Sequence, residues 1–291
     1  LIAVSCGDGE SEKTTAAGVV AETSSGESAG LGGLESFSGS EQKPGGVEGQ
    51  GESKPGGTTE APVSGIFRRL WADPPTLDPH LTTDTTSAGI VVEIFSGLVT
   101  LNTDLQLVPD IAESWKIDNG VVYTFKLRDN VRFHNGKQVT AQDFKWSIER
   151  SASPKTASPV ADTYLNDIVG TKSFFEGKSS EISGIKVIDT QTLQITIDLP
   201  KAYFLAKLTY PTAYVLDRQT VEAGGRNWWV GDPVGTGPFK LDEYRIGERI
   251  VLKRNADYYR EPAQVDSIFM NLAGGQAMAM YENDEIDITG V

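Results

Sequence analysis

Alternation of apolar and polar residues predicts β-strands along the chain from residue 66 onward. In the clearest case, 121–128 (VVYTFKLR), one face of the predicted strand carries Val121, Tyr123, Phe125 and Leu127. The segment 184–199 repeats the pattern on both sides of a turn at Asp189 and Thr190, and it therefore predicts a hairpin. Further strands are predicted at 66–71, 233–244, 248–255 and 264–273.

Helical spacing is clearest shortly after the strand at 121–128. Thr140 can cap a helix that starts at Ala141, and Asp143 then stands where a carboxylate complements the free N–H groups and the helix dipole. The apolar side of this helix is expected to include Phe144, Ile148 and part of Trp146. Other helices are predicted from residue 88 to Gly97, at 203–208, at 217–225 and from the start of 274–288, with a loop at 74–88. Interspersed strands and helices indicate a mixed α/β fold.

Residues 7–65 have a different composition. They hold 15 Gly, ten acidic residues, three Lys and one aromatic residue, Phe37. Such a segment buries too little apolar surface to offset the entropy of ordering, so we expect a disordered tether with an end-to-end distance of about 40–45 Å.

Charge and residue counts exclude several classes of protein. The net charge of −14 argues against a nucleic-acid partner, because such a partner requires a basic face. One Cys excludes a disulfide framework within the chain, and two His make a His-rich metal site unexpected. No apolar run is long enough to span a membrane.

The position of Cys6 suggests lipidation. The opening LIAVSCGDG places small and apolar residues before Cys6 and a polar, Gly-rich stretch after it. This resembles the end of a bacterial lipoprotein signal peptide, although Ala3 stands where Leu is usual. Two acyl chains on Cys6 give stable anchoring. The alternative is an incidental cysteine near the N-terminus.

The candidate catalytic residues are better explained as scaffold. His134 has no second His or Cys at metal-ligand spacing, and Asp143 fits the first turn of a helix. The loop GDPVGTGPF (231–239) lacks the Lys-Ser/Thr ending of a phosphate loop, and no nucleophile elbow is present. We therefore expect no enzyme, no metal and no cofactor. Trp228 and Trp229 either line a cleft or pack in the core, and the sequence leaves both readings open.

Seven motifs occur in an order that resembles one family. They are PTLDPH, IFSGLV, LVPDIAESW, YTFKLRDNVRFHNGKQVTAQDFKWSIER, VGTGPFKL, VLKRNADYY and NDEIDI. Together they are similar to the bacterial extracellular solute-binding proteins of family 5, the oligopeptide, dipeptide and nickel class. The resemblance runs from about Ile66 to Val291, and it implies that the stretch with His134 and Asp143 is scaffold.

The resemblance implies a periplasmic-binding-protein-like fold of two lobes (type II) that close around the ligand. Residues 1–6 are then the end of a signal peptide with the lipidated Cys6, 7–65 the tether, and 66–291 the first lobe. A subdomain is expected at about 100–180. The second lobe is expected to be missing from this chain, together with its main specificity determinants.

The resemblance also nominates cleft residues. The loop LTTDTTS aligns with one that touches the ligand backbone, which nominates Thr83, Asp84 and Thr85. Val160 stands where an oligopeptide binder presents a Tyr, and this departure either weakens the case for a peptide or changes the shape of the pocket. The loop VGTGPF is expected near the cleft and nominates Thr236 and Gly237.

The function that the resemblance implies is substrate capture for an ABC importer. The expected protein is a monomeric, extracytoplasmic lipoprotein that takes short peptides to the permease subunits. One alternative is the same role for a nickel complex, an oligosaccharide or an opine. Another is a sensory or regulatory protein built on this domain.

Overall fold

The computed structural model describes residues 65–289. The predicted lipidation site at Cys6 and the predicted tether, apart from Gly65, lie outside this range. No helix within it is long and apolar enough to cross a bilayer.

The described chain alternates between strands and helices. Its strands are β1 (Ile66–Leu70), β2 (Val99–Leu101), β3 (Leu107–Pro109), β4 (Ala112–Asp118), β5 (Val122–Leu127), β6 (Ile185–Asp189), β7 (Thr192–Thr196), β8 (Phe239–Arg245), β9 (Arg249–Arg254) and β10 (Ser267–Asn271). Its α-helices are α1 (Thr85–Ile94), α2 (Ala141–Ala152), α3 (Ala161–Leu165), α4 (Thr171–Phe175), α5 (Phe204–Lys207), α6 (Arg218–Gly224) and α7 (Ala277–Glu282).

A mixed four-stranded sheet has the order β1, β10, β9, β8. β1 runs parallel to β10, whereas β10, β9 and β8 pair antiparallel. α1 buries Ile90, Val91 and Ile94, which recur on one face of a helix. These residues share a buried cluster with Ile250 and Leu252 of β9. We call this cluster the first core.

An antiparallel sheet has the order β4, β5, β7, β6. The predicted alternation in β5 is confirmed, because Tyr123 and Phe125 are buried. They lie opposite Ile195 and Leu193 of β7, and such cross-strand pairs stabilise a sheet. α2 packs on this sheet, and we call the resulting cluster the second core.

The capping prediction for α2 is confirmed. Thr140 Oγ1 accepts a hydrogen bond from Asp143 N, and Asp143 accepts one from Thr140 N at 2.9 Å. Phe144 and Ile148 are buried in the second core, as expected. Trp146 is a correction, because it packs against the first core. It lies two positions after Phe144, which is about 200° around the helix.

One predicted boundary also needs correction. α1 begins at Thr85 and not at 88, because the Asp84 side chain caps it. β6 and β7 join the sheet that contains β4 and β5, and the subdomain at about 100–180 stays a prediction. The hairpin at 184–199 and the helices at 203–208 and 217–225 are confirmed.

Candidate functional site

The carboxyl end of β1 opens on a cavity beside the start of α1. Its volume is about 400 Å³, and it is lined by Leu70, Trp71, Ala72, Thr85 and Thr86. In α/β sheets, ligands bind outside the carboxyl ends of parallel strands. We call this cavity the β1 cleft and treat it as the candidate functional site.

Threonine side chains surround the first turn of α1. Asp84 Oδ1 accepts a hydrogen bond from Ser87 N at 2.8 Å, which caps the helix. Thr83 and Thr85 flank the cap and are exposed. Their hydroxyls can donate to or accept from a polar ligand, which agrees with the sequence prediction. Their contact with a ligand stays a prediction.

A stacked tyrosine pair borders the same loop. The rings of Tyr164 and Tyr210 lie 3.8 Å apart at an angle of 9°. The Tyr210 hydroxyl donates to Thr82 O at 3.1 Å. Burial raises the pKa of Tyr210, and Tyr164 and Asp84 add to this effect.

Val160 belongs to this neighbourhood. It is half-buried and precedes α3, and its backbone oxygen accepts a hydrogen bond from Tyr164 N at 3.3 Å. The structure therefore connects the predicted Val160 segment to the predicted Thr83–Thr85 loop through Tyr164 and Tyr210. The ligand role of Val160 also stays a prediction.

Trp71 forms one wall of the β1 cleft. Its Nε1 donates to Thr86 O at 3.1 Å. Its ring also lies close against Gly89, because a Cβ on Gly89 would stand 2.7 Å from Trp71 Cζ2. The absence of a side chain at this position lets the indole rest on α1.

The tryptophan pair that the sequence singled out divides between two environments. Trp228 is 4% exposed and meets Phe95 edge to face at 5.9 Å, so it belongs to the first core. Trp229 is half-buried, and its ring stacks with Tyr244 at 6.4 Å. For Trp228 the core reading is therefore the one that the geometry supports, and the ligand role of Trp229 stays a prediction.

Trp228 also takes part in a buried polar network. Asp78 accepts hydrogen bonds from Arg150 Nη2 at 2.6 Å and from Trp228 Nε1 at 2.9 Å. Arg150 Nη1 donates to His80 Nδ1 at 2.8 Å, so His80 Nε2 donates to Tyr214 O at 3.1 Å. We call Asp78, His80, Arg150 and Trp228 the core-bridging network, because Arg150 comes from α2 and Trp228 from the first core.

Electrostatics in this network favour a neutral histidine and an ionised acid. Burial and the Arg150 charge lower the pKa of His80 to about 4. Burial alone raises the pKa of Asp78, but hydrogen bonds from Arg150 and the nearby charges hold it below its ordinary value. Asp78 and Arg150 form a structural ion pair. The hydrogen bonds of Asp78 and His80 leave neither side chain free to act as a base.

Thr236 and Gly237 lie at the opposite end of α1 from Thr83 and Thr85. Their N–H groups donate to Ile94 O at 3.0 and 2.8 Å. A helix of 10 residues is about 15 Å long, so the two predicted sets are not together. Thr236 is fully buried, and a Cβ on Gly237 would overlap the backbone of α1. This geometry leaves little room for direct ligand contact by either residue, and their expected place near the cleft stays a prediction.

His134 fastens this glycine loop to the second core. Its Nε2 donates to Gly237 O at 3.1 Å, while its Nδ1 accepts from Gly235 N at 3.2 Å. Burial lowers the pKa of His134 to about 4. Asp143 is occupied by the helix cap and by Lys137 Nζ at 2.9 Å. Both residues are scaffold, and residues 65–289 contain no cluster of His, Cys, Asp and Glu suited to a metal ion.

Sequence reasoning missed the aromatic residues of the site. Trp71 was read as the end of a strand, and neither Tyr164 nor Tyr210 belongs to a distinctive motif. The only available signal was that Tyr164 follows Val160 by one helical turn.

Comparison with known proteins gives consistent matches. A sequence model described as bacterial extracellular solute-binding proteins, family 5, middle part, matches residues 106–291. The periplasmic oligopeptide-binding protein OppA of Escherichia coli is 33% identical over 242 residues, which is 81% of this chain and 44% of that protein. YgiS of the same organism, a probable deoxycholate-binding periplasmic protein, is 33% identical over 247 residues, or 81% of this chain and 46% of YgiS.

The fold agrees with solved structures. An oligopeptide-binding protein of Borrelia burgdorferi, OppAIV, has a TM-score of 0.71 at 35% identity, over 76% of this chain and 46% of that chain. The murein tripeptide-binding protein MppA of Escherichia coli also has a TM-score of 0.71, at 28% identity, over 77% and 45% of the two chains. The predicted mixed α/β fold of the periplasmic-binding-protein type is confirmed, and the chain spans less than half the length of these relatives.

Proposed function

The chain belongs to the bacterial extracellular solute-binding proteins of family 5, and we propose that it binds short peptides at the β1 cleft. The observation that carries this proposal is the pairing of exposed threonine hydroxyls with a fixed aromatic surface. The loop that carries Thr83 and Thr85 contacts the stacked rings of Tyr164 and Tyr210 through Thr82, whose backbone oxygen accepts from the Tyr210 hydroxyl at 3.1 Å. Relatives named as oligopeptide-binding proteins support the choice of ligand.

This arrangement suits binding that tolerates many peptide sequences. Hydroxyls and backbone groups can hydrogen-bond the peptide main chain without reading its side chains. Aromatic rings give a large contact area at a low cost in conformational entropy. The titratable side chains of the described site, such as Asp84, already serve structural hydrogen bonds. The proposed role is therefore capture of a ligand and not catalysis.

We further propose that the protein delivers its ligand to an ABC permease as a monomeric lipoprotein outside the cytoplasm. The names of its relatives, which describe periplasmic proteins, support the location. The small and apolar residues before Cys6 support anchoring by lipid.

A non-peptide solute is the second candidate. One relative at 33% identity is named as a probable deoxycholate-binding protein. Val160 also occupies the position where the resemblance led us to expect a Tyr in a peptide binder. An amphipathic carboxylate such as deoxycholate is therefore a useful rival ligand, beside nickel complexes and oligosaccharides.

A thermal-shift panel tests the proposal. The protein expressed from its complete gene is heated with di- to pentapeptides of mixed sequence, deoxycholate, nickel chelates and oligosaccharides. A ligand at 100 times its Kd adds about 2.7 kcal/mol to the free energy of unfolding. We expect a rise in Tm with the peptides. Silence with peptides but a shift with another class overturns the peptide assignment and keeps the solute-binding role.

A pair of variants locates the site. Thr83→Trp places a bulky ring at an exposed position beside the β1 cleft and should weaken peptide binding at least about ten-fold, because it excludes the ligand by overlap. Thr103→Trp makes the same change at an exposed turn between β2 and β3, and it should bind as the wild type does. Equal binding by both variants contradicts the proposed location.

A further inference from the structure

Two consecutive arginines on β1 have opposite surroundings. Arg68 is saturated, because its Nη2 and Nη1 donate to Asp287 Oδ1 at 2.8 Å and to Asp284 O at 2.7 Å. Arg69 points to the other face of the strand. Its Nε is buried and finds no hydrogen-bond partner anywhere in residues 65–289. No other Arg or Lys in that range has a buried nitrogen in this state.

Arg69 stacks on Trp71, one of the residues that line the β1 cleft. Its guanidinium carbon lies 3.7 Å from the centroid of the Trp71 ring. Trp71 is itself fixed by Thr86 O and by its contact with Gly89. A guanidinium stacked on a fixed indole loses little further conformational freedom when it binds a ligand. Its N–H donors lie in the plane of the guanidinium.

The charge on Arg69 is only partly compensated. Burial lowers its pKa, and the nearby carboxylate of Glu93 offsets part of that effect. Burial raises the pKa of Glu93. Arg69 and Glu93 form no ion pair within residues 65–289. By contrast, the neighbouring Arg68 pairs with Asp287. A partly buried cation whose nearby acid forms no ion pair with it keeps part of its desolvation cost, and an arriving anion reduces that cost.

We propose that Arg69 binds a carboxylate of the ligand, so that the protein selects anionic solutes through its own β1 strand. The planar guanidinium matches a carboxylate, because two parallel N–H groups can donate to its two oxygens. In a peptide the carboxylate comes either from the C-terminus or from an acidic side chain. This inference rests on the proposed function for its peptide ligand, but the carboxylate requirement applies equally to a non-peptide acid.

Titration calorimetry on the protein from its complete gene tests the proposal. The peptide probes are tri-alanine, its C-terminal amide, and the amides of Ala-Glu-Ala and Ala-Gln-Ala. The non-peptide probes are deoxycholate and its methyl ester. A charge-assisted hydrogen bond predicts that the wild type binds the carboxylate form of a probe pair at least about ten-fold more tightly. The peptide pair that shows this preference identifies whether Arg69 binds the C-terminal carboxylate or that of an acidic side chain.

Three variants separate Arg69 from its neighbours. Arg69→Gln should erase the preference for the carboxylate. Arg68→Gln, the matched control on the same strand, should keep it. Glu93→Gln should enlarge it, because a competing negative charge is removed. If Arg69→Gln does not fold, Arg69→Lys keeps the charge without the planar fork and should reduce the preference in a folded protein.

The outcomes distinguish this inference from the proposed function. Equal binding of peptide acids and amides by the wild type overturns the inference and leaves peptide binding intact, as does a preference that survives in Arg69→Gln. Binding of deoxycholate but of no peptide overturns the peptide assignment, and the methyl ester then decides the inference. Binding of none of the probes overturns both.

Discussion

Asp78→Asn is the sharpest test of the core-bridging network. The substitution keeps the shape of the side chain but removes its charge and replaces one acceptor oxygen with an NH2 group. In the wild type this carboxylate accepts from Arg150 and Trp228 and also from His80 N at 3.0 Å. The amide therefore turns a donor toward groups that are themselves donors, and Arg150 keeps its charge without a partner.

The expected loss of stability follows from burial. The Asp78 side chain is 1% exposed and that of Arg150 is 16% exposed. Removal of one partner from a buried ion pair costs about 3–5 kcal/mol. Arg150 also lines an open groove between α2 and α6, so water can solvate it in part, and we expect about 3 kcal/mol, the lower end of that range. The free energy of unfolding measured with urea should fall by this amount.

The assay is thermal and urea unfolding of the protein from its complete gene, followed by near-ultraviolet circular dichroism. Trp228 Nε1 donates to this side chain in the wild type, and the loss of the carboxylate charge changes its surroundings, so its aromatic signal should change even below the transition. The control is Asp104→Asn, an exposed acid in the turn between β2 and β3, which should unfold as the wild type does. A loss below about 1 kcal/mol for Asp78→Asn, within the range of an exposed pair, refutes the reasoning.

Two further predictions concern pH and backbone packing. His80 and His134 have a folded pKa of about 4, against about 6.5 in the unfolded chain. The unfolded state therefore binds more protons between these values, so stability falls as the pH drops from 6.5 to 4, by up to about 3 kcal/mol for each histidine. Urea unfolding across this range checks it, and a flat profile contradicts it. Gly235→Ala should lower stability by about 2–3 kcal/mol in urea unfolding, because its Cβ would overlap a backbone oxygen of α1. Gly231→Ala, where a Cβ meets nothing within 4 Å, is the control, and an equal loss in both contradicts the argument.

Local patterns predicted much of the fold because each depends on a few neighbouring residues. Alternation identified β5, since its buried face needs only every second residue to be apolar. The cap of α2 was predictable because Thr140 and Asp143 satisfy each other within one turn. The start of α1 was predicted three residues too late. The residues from Thr85 to Ser87 have low helix propensity, and the Asp84 cap and tertiary packing outweigh it.

The site was less predictable, because its residues meet only in three dimensions. Tyr164 and Tyr210 are 46 positions apart in the chain and stack at 3.8 Å. The sequence does not show that Arg69 Nε lacks a hydrogen-bond partner. Arg68 and Arg69 look equivalent in it. The glycine loop is ambiguous in the sequence, because close packing on α1 and close approach to a ligand both require glycine.

The most recognisable motifs therefore lie where the two cores contact each other and not on the proposed ligand surface. Asp78 and His80 lie in PTLDPH, His134 in the HNG turn, and Gly235 and Gly237 in VGTGPF. Each joins an element of one core to an element of the other through partly buried hydrogen bonds, which allow few substitutes for the residue that makes them. A surface that must accept varied ligands has no such restriction. The positions that we propose to contact the ligand are ordinary threonines, tyrosines and one arginine, and only their surroundings distinguish them.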